Sequence, residues 1–179
     1  MTDSRKRVEQ EKRLYKRLIL TFEDMQQAKS FATALLPPQS AEKVVREALQ
    51  IAMIVAYWRP FSNNKGSKDA LKSLSKKFLK DFNDDNLKAH SRLENLRNTV
   101  MAHSGSSVYG IDVTIKKFKE AKFLFPKKWN PWVPMSGSEI NLIIENIEKI
   151  SLKVTTEILR IQNFSSRGNE ILTRPNKHF

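Results

Sequence analysis

One run of apolar residues near the C-terminus constrains this chain more than any other. Ile140, Ile143, Ile144, Ile147, Ile150, Val154, Ile158 and Ile161 recur at spacings of three and four, the period of a helix that buries one long stripe. Ser136, with Glu139 three residues later, matches the reciprocal cap of a helix start. A stripe of this length needs other helices to cover it. A second run supplies one: residues 41–58, with Ser40 as a cap, carry Val44, Val45, Ala48, Leu49, Ala52, Ile54, Val55 and Trp58. That run is apolar over so much of its circumference that a central place is expected. The fold class that follows is all-α in the main, a helical bundle.

The remaining segments fit around these two. Thr21 is expected to cap a helix over residues 22–36, with Glu23 and Asp24 near its positive end, and Pro37 and Pro38 stop it. Residues 1–12 read as a flexible basic leader, because Arg5, Lys6, Arg7 and Lys12 precede any apolar cluster. Residues 59–66 form a turn-rich loop around Pro60, and helix resumes near Lys68 with Leu71, Leu74, Phe78, Leu79 and Phe82 on one face. A fourth helix opens at Asp84 or Asp85 and runs to about Ser104, where Gly105 suits the position past a helix end. Between Val108 and Phe125 the pattern turns to alternation, which reads as a small β-hairpin insert. Pro126, Pro131 and Pro134 frame a stiff loop bearing Trp129 and Trp132, and residues 163–179 lose periodicity and read as a flexible tail. One helical domain over residues 13–162 is expected.

Composition narrows the chemistry. The 179 residues contain no cysteine, which removes disulfides, thiolate metal sites and a thiol nucleophile. The longest apolar run, residues 51–58, is far short of the roughly 20 residues that span a membrane, and Lys16 and Arg17 interrupt the only candidate signal core. A cytoplasmic location without membrane contact is the expectation. Lys and Arg number 32 against 19 Asp and Glu, a net charge of +13, so the first partner class to consider is a polyanion, with RNA favoured.

Residues 96–105 hold the residues best suited to act on RNA. Arg97 offers a permanently charged fork of donors for phosphate oxygens, His103 titrates near neutrality and Asn98 can orient either. Cleavage of RNA without a metal needs those two functions: proton transfer, and positive charge on the phosphate as it becomes pentacovalent. On an ideal helix, however, Arg97 and His103 are about 120° apart around the axis and about 9 Å apart along it. Convergence on one phosphate requires the helix to loosen, the arginine to swing over, or a second copy of the chain to complete the site; the last is preferred. The plainer alternative is that both are boundary residues that satisfy their neighbours. His90, seven residues before Arg97, either joins a polar groove or sits half-buried against a carbonyl. Arg59, Lys65, Lys68 and Lys72 are further candidates to hold a strand, against the plainer reading of a solvated basic face. With three histidines in the chain and no zinc-type spacing, neither a metal site nor a cofactor is expected.

These residues resemble the HEPN superfamily, helical domains of prokaryotic toxins, abortive-infection proteins and RNA-guided effector nucleases. The likeness rests on Arg97-Asn98 followed by His103 within the family's spacing, on Leu96 to Ser104 as an Arg-Asn...Ala-His stretch, and on Tyr57-Trp58-Arg59-Pro60-Phe61-Ser62. The resemblance implies a bundle that dimerises so that two motif copies face one cleft. It implies that Arg97, Asn98 and His103 are catalytic and that RNA is cut without metal, leaving a 2′,3′-cyclic phosphate and a 5′ hydroxyl. A nucleotidyltransferase-type antitoxin is the partner expected of a toxin of this kind. The alternative is a non-catalytic HEPN-like module that binds RNA or a nucleotide, or serves as a scaffold.

Overall fold

A computed structural model describes residues 3–37, 42–62, 73–101, 111–118, 121–128 and 134–167. The chain is mainly helical. Helix α1 (Asp3–Leu35) packs against α2 (Lys43–Trp58) and α4 (Gly137–Arg167), and α3 (Asp84–Asn95) closes on α4. No helix among the described residues is long and apolar enough to cross a membrane.

Helix α1 is continuous through most of the stretch expected to be a loose leader. Residues 8–13 are good helix formers in the main, and Arg13 donates to Glu9 one turn back (3.4 Å). Further on, Leu18, Met25, Ala28, Ala32 and Leu35 are buried along one stripe, which anchors the rod in the core. Thr21 therefore caps nothing: its buried hydroxyl donates to the carbonyl of Arg17 (2.7 Å) inside the helix. At the far end, Arg46 donates to the carbonyls of Leu35 (3.0 Å) and Pro37 (2.8 Å), satisfying acceptors that the helix end leaves open.

Helix α2 starts at Lys43, two residues later than expected, and Glu42 at its cap position makes no side-chain cap bond. Its burial is one-sided. Gln50, Met53, Ile54 and Tyr57 face the core, whereas Val44 is 67% exposed and Val45, Ile51 and Val55 also reach solvent. The central place expected of α2 is met on one side only: α1 and α3 pack against it, and Val44, Val45, Ile51 and Val55 stay open to solvent.

The helix expected from Lys68 to Phe82 is reduced, among the described residues, to a single tight turn, Lys76–Leu79. Ser75 accepts from the Lys77 amide (3.4 Å) and starts this turn, and Asn83 caps α3 only a few residues after it ends, so the turn does not run on past Leu79. Leu74, Phe78 and Phe82 are still delivered to the core. Asn83 and Asn86 form a reciprocal cap (2.8 and 3.3 Å), with Asp84 and Asp85 in the first turn where the helix dipole favours acids. The same device opens α4: Ser136 and Glu139 exchange backbone-to-side-chain bonds (2.9 and 3.2 Å). Ile140, Ile143, Ile147, Ile150, Val154 and Ile161 are buried along its stripe. The helix runs on to Arg167, beyond the expected start of the tail.

Strands β1 (Ile111–Phe118) and β2 (Ala121–Lys128) pair antiparallel, with Ile111 opposite Lys128 and Phe118 opposite Ala121. Pro126, expected in a loop, lies in β2 opposite Val113. A two-stranded ribbon has only edge strands, where a residue without an amide hydrogen is tolerated.

Candidate nucleic-acid interface

Helix α3 does not continue to Ser104 in α geometry. From Leu96 to Met101 the backbone widens into a π-helical turn, a local form that occurs often at functional sites. Arg97 and Asn98 ride on this turn, and Arg97 Nη1 donates to Asn98 Oδ1 (3.1 Å).

Two other elements meet Arg97. Arg59 follows the last residue of α2, where Pro60 tightens the backbone into a short 3-10 turn. Its Nη1 donates to Asp24 Oδ1 (3.2 Å) and Gln27 Oε1 (3.0 Å) on α1. Below them Arg17 is buried, and its Nη2 donates to the carbonyls of Arg59 (3.2 Å), Pro60 and Ser62 (3.4 Å). The guanidinium thereby fixes the end of α2 to the middle of α1. The result is an open cleft of about 410 Å³ lined by Arg17, Leu20, Asp24, Val55, Arg59, Ser62 and Arg97. Three arginines and one aspartate give that lining a net charge of +2.

The electrostatics follow from depth. Burial lowers the Arg17 pKa and the Asp24 charge opposes this; arginine remains a cation even so. Burial raises the Asp24 pKa, while the hydrogen bond and charge of Arg59 and the charge of Arg17 pull it back.

Of the residues singled out from the sequence, Arg59 and Arg97 are brought together on this cleft. Asn98 is beside it through its bond to Arg97. His103, Lys65, Lys68 and Lys72 lie outside the described residues. His90 is corrected. It is 8% exposed, with its Nδ1 2.8 Å from the Tyr57 hydroxyl, and its ring packs on Trp58 (4.8 Å between centroids) and Phe61 (5.0 Å). It joins an aromatic cluster rather than a polar groove, and leaves a strand almost nothing to touch.

Burial lowers the His90 pKa to about 4, which has a measurable consequence. Because the unfolded chain takes up this proton near pH 6.5 and the folded chain only near 4, stability is complete above the higher value. It falls as pH drops between the two, and the loss levels off below the lower one. The total is at most about 3 kcal/mol. Urea unfolding from pH 7 to 5 is expected to give a falling midpoint for the native chain and a flatter one for His90→Phe; equal slopes would remove His90 as the cause.

The sequence does not single out Arg17 or Asp24: Arg17 reads only as a charge interrupting an apolar stretch and Asp24 as an acid at a helix start, whereas Asp24 sits in mid-helix and bonds Arg59. A signal was present: Arg17, Thr21, Asp24 and Ala28 fall on one line at spacings of four, three and four, beside the apolar stripe. A second hollow, about 230 Å³ and lined in part by Leu35, Arg46, Gln50 and Met135, is smaller than usual ligand sites, and its arginine is occupied in capping α1. Among the described residues no cluster of three His, Asp or Glu side chains is placed to hold a metal ion. Compared with protein-family models, curated proteins and solved structures, the chain matches none.

Proposed function

We propose that this chain is a metal-independent endoribonuclease of toxin or defence type, a HEPN-like helical bundle acting as a homodimer. The observation that carries the reading is the meeting of Arg59 and Arg97, 38 positions apart, on one open cleft beside a π-turn. The net charge of +13 supports it, since a chain so basic draws polyanions from a distance.

In this reading the ribose 2′-hydroxyl attacks the adjacent phosphorus. The bond from phosphorus to the 5′ oxygen breaks as the 2′ bond forms, giving a 2′,3′-cyclic phosphate and a 5′ hydroxyl. His103, two residues past the π-turn, transfers the proton, and Arg97 takes up the charge that builds on the phosphorane oxygens. Asn98 keeps the Arg97 fork in place through the bond between them. Arg59 holds the strand.

The test is incubation of the purified protein with mixed cellular RNA in EDTA, with analysis of the product ends. Cyclic-phosphate ends are expected, together with a dimer by sedimentation. RNA that is bound with strong salt dependence but left whole would favour a binding module instead; no binding and no cutting would end the RNA reading altogether.

A further inference from the structure

We propose that the cleft takes one ribonucleotide unit of an RNA strand, with its phosphate between Arg59 and Arg97 and its ribose 2′-hydroxyl donating to Asp24. The proposal rests on the reading of an RNA-binding cleft but not on cleavage.

The reason lies in Asp24. A cleft that only had to hold phosphate would be better without a carboxylate, because a like charge opposes the anion. Yet Asp24 is held in place, with a side chain only 16% exposed and Oδ1 bonded to Arg59. Among the described residues its Oδ2 carries no hydrogen bond. An ionised carboxylate only accepts, so what suits Oδ2 is a neutral hydroxyl donor located next to a phosphate. In a nucleic acid that donor is the ribose 2′-hydroxyl, the group that distinguishes RNA from DNA.

The neighbours agree with this orientation. Arg59 is steadied by Gln27 and Asp24 through a single nitrogen, Nη1, which leaves the rest of its planar fork to meet a phosphate. Arg97 faces the same space. Leu20, 51% exposed, and Val55 give an apolar wall against which a sugar or base can lie. A volume of about 410 Å³ is at the small end of ligand clefts, in keeping with one nucleotide rather than a duplex.

The experiment is calorimetric titration of the full chain with adenosine 3′-monophosphate and its 2′-deoxy analogue, neither of which contains a diester to cut. The native protein is expected to prefer the ribonucleotide by about tenfold or more, the value of a hydrogen bond to a charged group. Asp24→Ala should bring the two ligands to within about twofold. Asp24→Asn, which keeps an acceptor, should recover part of the preference, and Arg97→Ala should weaken both ligands alike. Circular dichroism melts of each variant establish that it is folded.

Equal binding of the two nucleotides by the native chain, retention of the preference in Asp24→Ala, or no binding at millimolar ligand would each overturn the proposal. With His103→Ala, a three-nucleotide RNA should bind more tightly than the mononucleotide; the reverse would make the ligand a free nucleotide and overturn the RNA assignment. A preference that depends on Asp24 in a protein that leaves RNA whole would sustain this site while ending the nuclease reading. Cleavage without the preference would do the opposite.

Discussion

His103→Ala is expected to slow RNA cleavage in EDTA by about a hundredfold to ten-thousandfold, the range that positioned proton transfer supplies. RNA affinity should change little, since phosphate contacts come chiefly from arginine and lysine. Arg97→Ala should cost about a hundredfold to a thousandfold in rate and should also weaken binding and flatten its salt dependence. Arg97→Lys should restore charge without full activity, because an ammonium cannot present the fork that the bond to Asn98 holds in place. The measurement is single-turnover cleavage of a labelled RNA alongside binding to a deoxy analogue. Unchanged cleavage by purified His103→Ala would refute the assignment of proton transfer to that imidazole.

The second large effect is on stability. Arg17 reaches from α1 to the carbonyls of Arg59, Pro60 and Ser62. Arg17→Met keeps most of the side-chain bulk and removes every donor, so the Arg59 and Pro60 carbonyls keep only their backbone partners, the Ser62 and Leu74 amides, the Ser62 carbonyl loses its bond to Arg17, and Asp24 has one cation fewer. A loss of about 2 kcal/mol is expected, read as a lower urea midpoint at an unchanged m value. Nucleotide binding should weaken as well, because the same guanidinium sets where Arg59 emerges. Arg17→Lys should recover only part, since lysine ends one bond short of the Nη2 position that reaches the three carbonyls. A variant as stable as the native chain would mean that the end of α2 is held by other contacts.

What the sequence discloses is what short-range physics decides. The α4 stripe and the Ser136–Glu139 cap are complete within a few turns, and both could be read directly; so could the acidic start of α3. The parts that could not be read depend on partners distant in sequence. Helix α1 extends into the basic leader because its later turns are anchored by Leu18, Met25 and Ala28 against α2 and α4; the local helix preference of residues 8–13 does not by itself decide it. The outer face of α2 carries apolar residues as its inner face does, so the placement of α1 and α3 determines which is buried. His90 was one spacing away from Arg97 on paper, and Tyr57, Trp58 and Phe61 drew it inward. Arg97 and Arg59 are both legible as candidate cations, but nothing in the sequence places them together, and Asp24 and Arg17, which join them on the cleft, come from α1. The cleft is a property of the packing and not of the motif.

The widened turn at Leu96–Met101 decides where this corner of the molecule is sensitive to length. A π segment accommodates a residue beyond what an uninterrupted α-helix would need over the same rise, so excising Thr99 would let α3 wind on regularly. The residues before and after the turn would stay in phase, whereas the same excision at Glu94, in the regular part of α3, would turn every later residue of the helix by about 100° about its axis. A deletion inside the widened turn is therefore expected to be tolerated, where one a single turn earlier would carry Arg97 away from Arg59 with neither side chain altered.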